Sequence, residues 1–379
     1  MSSIPIAFYA PLKSPDHPAP SGDRSMARLL LRALRQAGYA PCVASRLRTW
    51  DRRGDPAFQD AVRREALREA DRLIAAWLGT TTRPRLWFTY HVYYKAPDWI
   101  GPRVADALNI PYVIAEGSRA PRRAQGPWAL GHGGAEAALD RADIIFVMTD
   151  ADRPALERAR PFHQRLVDLP PFLDLDAWCE DSAPSEKAEA RPEGDLRLLT
   201  VAMMRPGAKL ASYDLLARAL SSLQDAPWSL DIVGDGEARP QVETLFAPFG
   251  ERVRFHGRIE DRRSLRDLYQ GAELFVWPAV DEAYGMALLE AQALGCPVVA
   301  GAYGGVASVV RHGRTGLLAP PADAAAFAEA VSTLLSDRAR RRELADGARA
   351  FVQSERGLDK ACAILRQALV RLDAHRVRA

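Results

Sequence analysis

Short apolar runs alternate along this chain with longer stretches whose apolar residues recur every three or four positions. In the first half, runs at residues 4–10 (IPIAFYA), 40–45, 85–90, 111–115 and 143–148 predict strands. The stretches at 24–37 and 58–78 predict helices, the second with Phe58, Val62, Leu67, Leu73, Ile74 and Trp77 on its apolar side. In the second half the spacing predicts strands at 196–204, 228–234, 253–257, 274–277 and 298–300. Helices are expected from the RPGAK loop to residue 223, over 265–270, from Gly285 to Leu294, after Gly304-Gly305, and from residue 323 onward. Gly295 and Pro297 close the third of these, as a C′ glycine and a following proline do. The four residues GHGG at 131–134 read as a turn. Strands and helices in this alternation predict an α/β chain with two Rossmann-like, doubly wound domains.

A polar, aperiodic stretch, EDSAPSEKAEARPEGD, divides the two patterns. The expected organisation is a first domain over 1–170, a linker with a mobile loop over 171–195, and a second domain over 196–356. A last helix over 357–379 is expected to cross back to the first domain. At 379 residues the chain has room for two α/β domains, and 48% hydrophobic with 26% charged residues is ordinary for a soluble protein. Four scattered cysteines fit no disulfide or zinc spacing, and MSSIPIAFYAPLK has no basic n-region, so a cytoplasmic protein is expected. The net charge of +3 is unevenly spread: 25 Lys and Arg stand against 18 Asp and Glu in residues 1–170, and 26 against 30 in the rest. The basic half could face an anionic acceptor or, peripherally, the inner face of a membrane; the alternative is solvated helices rich in arginine.

Candidate chemistry gathers at residues 281–297, DEAYGMALLEAQALGCP. A strand, a loop and a helix start at Gly285 follow one another there. Free N–H groups at Tyr284, Gly285 and Met286 would suit a phosphate. Glu282 in the loop and Glu290 in the helix are acceptors, each able to take two hydroxyl donors from a sugar or ribose.

The longer segment WPAVDEAYGMALLEAQALGCPVVAGAYGGV resembles the E-x7-E region of the retaining glycosyltransferases of family 4. The resemblance implies the GT-B architecture, two Rossmann-like domains facing across a cleft. It implies a metal-independent transfer of a sugar from a nucleoside-diphosphate sugar to an acceptor hydroxyl, in polysaccharide, glycolipid or glycoconjugate synthesis. No cofactor is expected beyond that co-substrate. By the same resemblance Glu282 lies beside the donor sugar and Glu290 holds the ribose. Arg205 and Lys209 grip the diphosphate, and the backbone at Gly257, Arg258 and Ile259 meets the nucleobase. Ser308 stands where most relatives carry a Glu.

In the first half, Gly22 stands where the family's glycine loop approaches the donor. The loop before it could be a mobile acceptor lid or plain surface. His91, at the end of the third strand, matches a cleft histidine of the family, with a packing histidine as the alternative. Glu116, Ser118 and Arg119 follow the next strand and are expected on the acceptor side. There Arg119, Arg122 and Arg123 would suit a negatively charged group. The pairs Asp150/Asp152 and Asp174/Asp176 have metal-binding spacing but read better as helix caps, so no metal is expected. Two other readings stay open, a nucleotide-sugar epimerase and an inactive nucleotide-sugar-binding protein. The absence of G-x-G-x-x-G argues against an oxidoreductase.

Overall fold

Among the described residues twelve strands pair in parallel, six to a sheet. The computed structural model describes residues 3–179 and 196–376. The chain divides into unit 1, Met1–Pro171 with Leu358–Ala379, and unit 2, Phe172–Gly357. Of the linker expected over 171–195, residues 180–195 lie outside the described residues. Residues 172–179 are packed rather than linker-like. Phe172, Leu173 and Trp178 are buried, and the Leu173 N–H donates to the Arg356 carbonyl at 2.8 Å.

Unit 1 runs β1 (Ile4–Tyr9), α1 (Gly22–Gln36), β2 (Tyr39–Val43), α2 (Pro56–Trp77), β3 (Leu86–Val92), α3 (Gly101–Ala107), β4 (Tyr112–Gly117), α4 (Ala129–Arg141), β5 (Ile144–Val147), α5 (Arg153–Arg158) and β6 (Arg165–Asp168). Its sheet has the order β2-β1-β3-β4-β5-β6. Helices cover both faces, so the central strands are apolar on both sides. On one face Phe8, Phe88 and Phe146 stack across three strands, with centroids 5.8 and 6.1 Å apart. On the other, Tyr9 meets Trp87 edge-on.

Three expectations change here. GHGG is the first half of α4, not a turn. Helix propensity disfavours glycine, but a Cβ on Gly131 would overlap the Tyr94 carbonyl and one on Gly134 the Trp99 indole, so close packing outweighs propensity. The buried stripe of α2 is Gln59, Val62, Ala66, Ala70 and Leu73, while Phe58 is exposed, because α2 lies close on its neighbours through small residues. The loop over residues 10–21 is held down rather than lid-like. Arg24 donates to the carbonyls of His17 and Pro18, Arg28 to Pro15, and Arg48 to Leu12.

Unit 2 runs α6 (Asp176–Cys179), β7 (Leu196–Val201), α7 (Ala208–Ser221), β8 (Trp228–Val233), α8 (Arg239–Phe246), β9 (Val253–Gly257), α9 (Arg262–Gly271), β10 (Leu274–Trp277), α10 (Met286–Ala293), β11 (Val298–Gly301), α11 (Val306–Val309), β12 (Gly316–Ala319), α12 (Ala324–Ser336) and α13 (Arg338–Glu355). The sheet order is β12-β11-β10-β7-β8-β9. The final helix, α14 (Leu358–Arg376), packs on α1 in unit 1. There Arg366 donates to the carbonyls of Gln36 and Ala37. Helix starts carry the acids the sequence put there: Asp55, Asp261, Asp323 and Asp337 each accept a backbone N–H at an N-cap. Among the described residues no helix is long and apolar enough to cross a membrane.

Each sheet reverses its winding once, between β1 and β3 in unit 1 and between β7 and β10 in unit 2. In open parallel sheets the loops leaving the carboxyl ends of such neighbouring strands part to opposite faces and leave a crevice for a ligand.

Candidate active site

At the switch point of unit 2, the loop after β7 carries Arg205 and leads into α7, whose first turn holds Lys209. The loop is shaped from behind by Gly234-Asp235-Gly236. Both glycines lie at positive φ, and a Cβ on either would overlap a carbonyl of Ala202 or Met204. The Met204 N–H donates to Asp235 at 2.9 Å and the Tyr213 hydroxyl to Ala202 at 2.8 Å. Arg205 is exposed and has no ion-pair partner among the described residues.

The neighbouring loop, after β10, carries Glu282. Ala279 and Asp281 hold left-handed φ values of 57° and 48°, a strain found mostly at functional loops. The loop is pressed into place by Gly304, where a Cβ would overlap the Glu282 carbonyl, and by the Gly305 N–H, which donates to Ala283 at 2.7 Å. Ser212 of α7 accepts the Val280 N–H at 2.9 Å, which joins the two loops. Lys209 Nζ is ion-paired with Glu282 Oε2 and lies over the Trp277 ring, and the indole N–H of Trp277 is 3.3 Å from the same carboxylate oxygen.

Helix α10 begins at Gly285, at φ 76°, with no side chain capping it. A Cβ there would sit 2.9 Å from Leu288 Cδ1, so only glycine fits. The side chains of Tyr284 and Met286 are buried, so backbone is what they offer a ligand. About a turn and a half on, Glu290 accepts the Tyr269 hydroxyl at 3.0 Å. Burial pushes its carboxyl up to about 7, against the opposing pulls of Tyr269 and Arg262. Gly257 ends β9 at φ 65°, followed by half-buried Ile259 and exposed Arg258, which pairs with Glu260. Ser308, where the resemblance leads one to expect a Glu, is buried, and its carbonyl accepts from Arg356 at 2.9 Å.

At the switch point of unit 1, His91 and Glu116 end neighbouring strands, both at positive φ (65° and 63°). His91 Nδ1 lies 3.1 Å from Asp23 Oδ1 and 3.6 Å from Glu116 Oε1. Burial alone would lower the imidazole, but Glu116 and Asp23 raise it to about 9. Burial lifts Glu116 to about 7 although His91 opposes it. Burial also works to raise Asp23, yet the His91 bond outweighs this and leaves it below the usual carboxylate range. His91 is therefore an imidazolium at neutral pH, held between carboxylates.

Gly22 is exposed in the first turn of α1, beside Asp23. Ser118 donates to Asp152 at 2.5 Å, and Thr149 donates to the other oxygen of Asp152 at 2.6 Å, so Asp152 ties together the ends of β4 and β5. Arg119 departs from its expected role. Its guanidinium is buried, paired with Glu136 and Asp140, so it braces α4 rather than waiting for an anion. A strand-end arginine and a surface arginine look alike in sequence; only α4 supplies the two acids.

Four groups at these switch points were not singled out as site residues by sequence. Asp23 had a usable signal, an acid in the first turn of a helix capped by Ser21. Trp277 and Tyr269 read as core aromatics, and Asp152 as a cap. Among the described residues no group of three His, Cys, Asp or Glu is placed to hold a metal.

Residues 195–337 match the family model described as glycosyl transferases group 1. A D-inositol 3-phosphate glycosyltransferase of Xylanimonas cellulosilytica is 33% identical over 211 residues, 53% of this chain and 50% of that protein. One from Mycobacterium sp. (strain KMS) is 32% identical over 267 residues, 66% of this chain and 57% of that protein. The chain thus spans little more than half the length of these relatives. Among solved structures, sucrose-phosphate synthase from Thermosynechococcus elongatus superposes with a TM-score of 0.77 at 22% identity, covering 98% of this chain and 100% of that one. Anabaena Alr3699/HepE in complex with UDP gives 0.72 at 15% identity, over 97% and 100%. At these identities the likeness establishes the fold, which is GT-B.

Proposed function

We propose that the chain moves a sugar from a nucleoside-diphosphate sugar to an acceptor hydroxyl, on the premise that residues 195–337 match the glycosyl transferases group 1 model within a chain of GT-B fold. The observation that carries this is the cationic switch point of unit 2: unpartnered Arg205, Lys209 aligned by Glu282, and the uncapped start of α10. When the glycosidic bond breaks, negative charge grows on the leaving diphosphate. Arg205, Lys209 and the first N–H groups of α10 supply positive charge there, and one such donor is worth about 10²–10³ in turnover. The chain's own cations serve here, so the reaction is written without a metal.

The diphosphate takes over Lys209, and Glu282 turns to the hydroxyls of the transferred sugar. Glu290 accepts from the ribose hydroxyls. The sugar keeps its anomeric configuration by a front-face route in which the departing diphosphate takes the acceptor proton. In unit 1, His91 is charged at neutral pH, so it suits hydrogen-bond donation to a hydroxyl or carbonyl oxygen rather than service as a base. The relatives named for inositol 3-phosphate make a phosphorylated polyol a reasonable first acceptor to try.

The two glutamates give the test. Glu290→Gln keeps the shape but loses the charge, and hydrogen bonds to a charged group contribute about 1.5–3 kcal/mol. It should weaken binding of bare UDP or GDP by roughly tenfold or more in calorimetric titration. Glu282→Gln should leave that affinity nearly unchanged and lower turnover with the complete donor. The reverse pattern would overturn the placement of the donor, and conversion of the donor sugar with no acceptor present would make the protein an epimerase.

A further inference from the structure

Unit 1 holds a second cationic feature, outside the His91 cluster. The loop after β3 carries Tyr94 and Lys95, and the loop between β4 and α4 carries Arg123 and Trp128. Tyr94 and Trp128 meet edge to face, with centroids 5.7 Å apart. Lys95 Nζ lies 5.6 and 5.2 Å from these two rings, and Arg123 Cζ lies 5.3 and 5.0 Å from them. Two like charges are therefore no more than about 10 Å apart around one aromatic pair. Neither makes an ion pair with a carboxylate among the described residues. Asp51, on the neighbouring loop, spends its oxygens on the N–H groups of Arg53, Gly54 and Asp55 and on Gln59.

The surroundings are built to hold this pair in place. Gly54, at φ 73°, lies against the Trp128 indole, where a Cβ would come within 3.0 Å of Cε2. The buried Gln59 amide donates to the Pro127 carbonyl at 2.7 Å and accepts the Gly131 N–H at 2.9 Å, fixing the start of α4. Trp128 Nε1 is shielded from solvent and has no hydrogen-bond partner among the described residues. Two cations without a counter-charge among the described residues repel, and a bound anion would relieve that repulsion.

We propose that Lys95 and Arg123, held on the Tyr94–Trp128 pair, form an anion subsite that recognises a phosphate or carboxylate group on the acceptor. The two cations suit such a charged substituent. The proposal deepens the reading of the chain as a glycosyltransferase and rests on it for the word acceptor; the anion site itself does not.

The test is a calorimetric titration of the full chain with a sugar monophosphate, glucose 6-phosphate, and with glucose as its neutral counterpart. Wild type should bind the phosphate saturably and the neutral sugar at least tenfold more weakly. Lys95→Gln and Arg123→Gln should each weaken the phosphate by about tenfold. Arg83→Gln, an exposed charge just ahead of β3 at the amino ends of the strands, should bind as wild type does. A phosphate response that is absent, or that falls equally in Arg83→Gln, overturns the subsite. UDP and GDP titrated into the same variants separate the two claims. Nucleotide binding that survives in all of them leaves the donor site standing whatever becomes of the anion site. Failure of wild type to bind any nucleotide would instead fall on the proposed function.

Discussion

The two switch points have the same place in two similar sheets and opposite electrostatics. In unit 2 the loops present Arg205 and Lys209 with one carboxylate, Glu282, beside an uncapped helix start. In unit 1 they present His91 among Asp23, Glu116 and, further out, Asp152, with Lys13 acting on Asp23 as well. Both are strained. Of the six non-glycine residues at positive φ among the described residues, His91, Glu116, Ala279 and Asp281 lie at these two mouths. The topology decides where a ligand can sit, and the residues on the loops decide which. A cationic mouth suits phosphate; a carboxylate-rich one suits hydroxyl groups and holds an imidazolium charged.

The comparison breaks most visibly through the cations. Lys209→Ala and Arg205→Ala should each lower turnover by about 10² or more with the fold retained. His91→Asn should lower turnover too, yet leave the affinity for bare nucleotide within about twofold of wild type. Should His91→Asn weaken nucleotide as much as Lys209→Ala does, the assignment of phosphate to unit 2 fails.

A smaller effect sharpens the nucleotide side. With its carboxyl near 7, Glu290 is mostly neutral at pH 6 and mostly ionised at pH 8. Ribose hydroxyls favour the ionised form, so affinity for a nucleotide sugar should rise about tenfold between those pH values. Glu290→Gln should flatten the profile. An unchanged slope in that variant would move the titrating group elsewhere.

The smallest effect belongs to unit 1 and concerns stability. The folded pKa of His91 is raised to about 9 from its ordinary 6.5. Its contribution is thus fully present below about pH 6.5, declines above it and is gone above about pH 9. Wild type should lose several degrees of melting temperature over that window relative to His91→Asn. Parallel curves for the two proteins would show that the imidazolium adds nothing to the fold.

Much of this was legible in sequence because the signals are local. Strands announce themselves as short β-branched and aromatic runs, and helix starts by Asp55, Asp261 or Asp323 at the cap. Gly285 marks a helix entry that no other residue can make. Position relative to these elements then puts His91, Arg205 and Glu282 at strand ends, where parallel sheets bind ligands. The GHGG segment failed for the opposite reason. Its glycines answer to Tyr94 and Trp99, which are distant in sequence, and propensity has no access to them.

What the sequence determined by itself was the order of strands and helices, the two parallel sheets that follow from it, and the strand ends where chemistry can occur. Tertiary structure alone decided how charge is partnered there. It turned Arg119 inward to Glu136 and Asp140, brought Asp23 and Glu116 to His91, set Lys209 against Glu282, and left Lys95 and Arg123 together without a carboxylate among the described residues. The physical reason is range. Backbone periodicity acts over a few residues, whereas the field at a charged group is set by whatever the fold places within several ångströms, from anywhere in the chain.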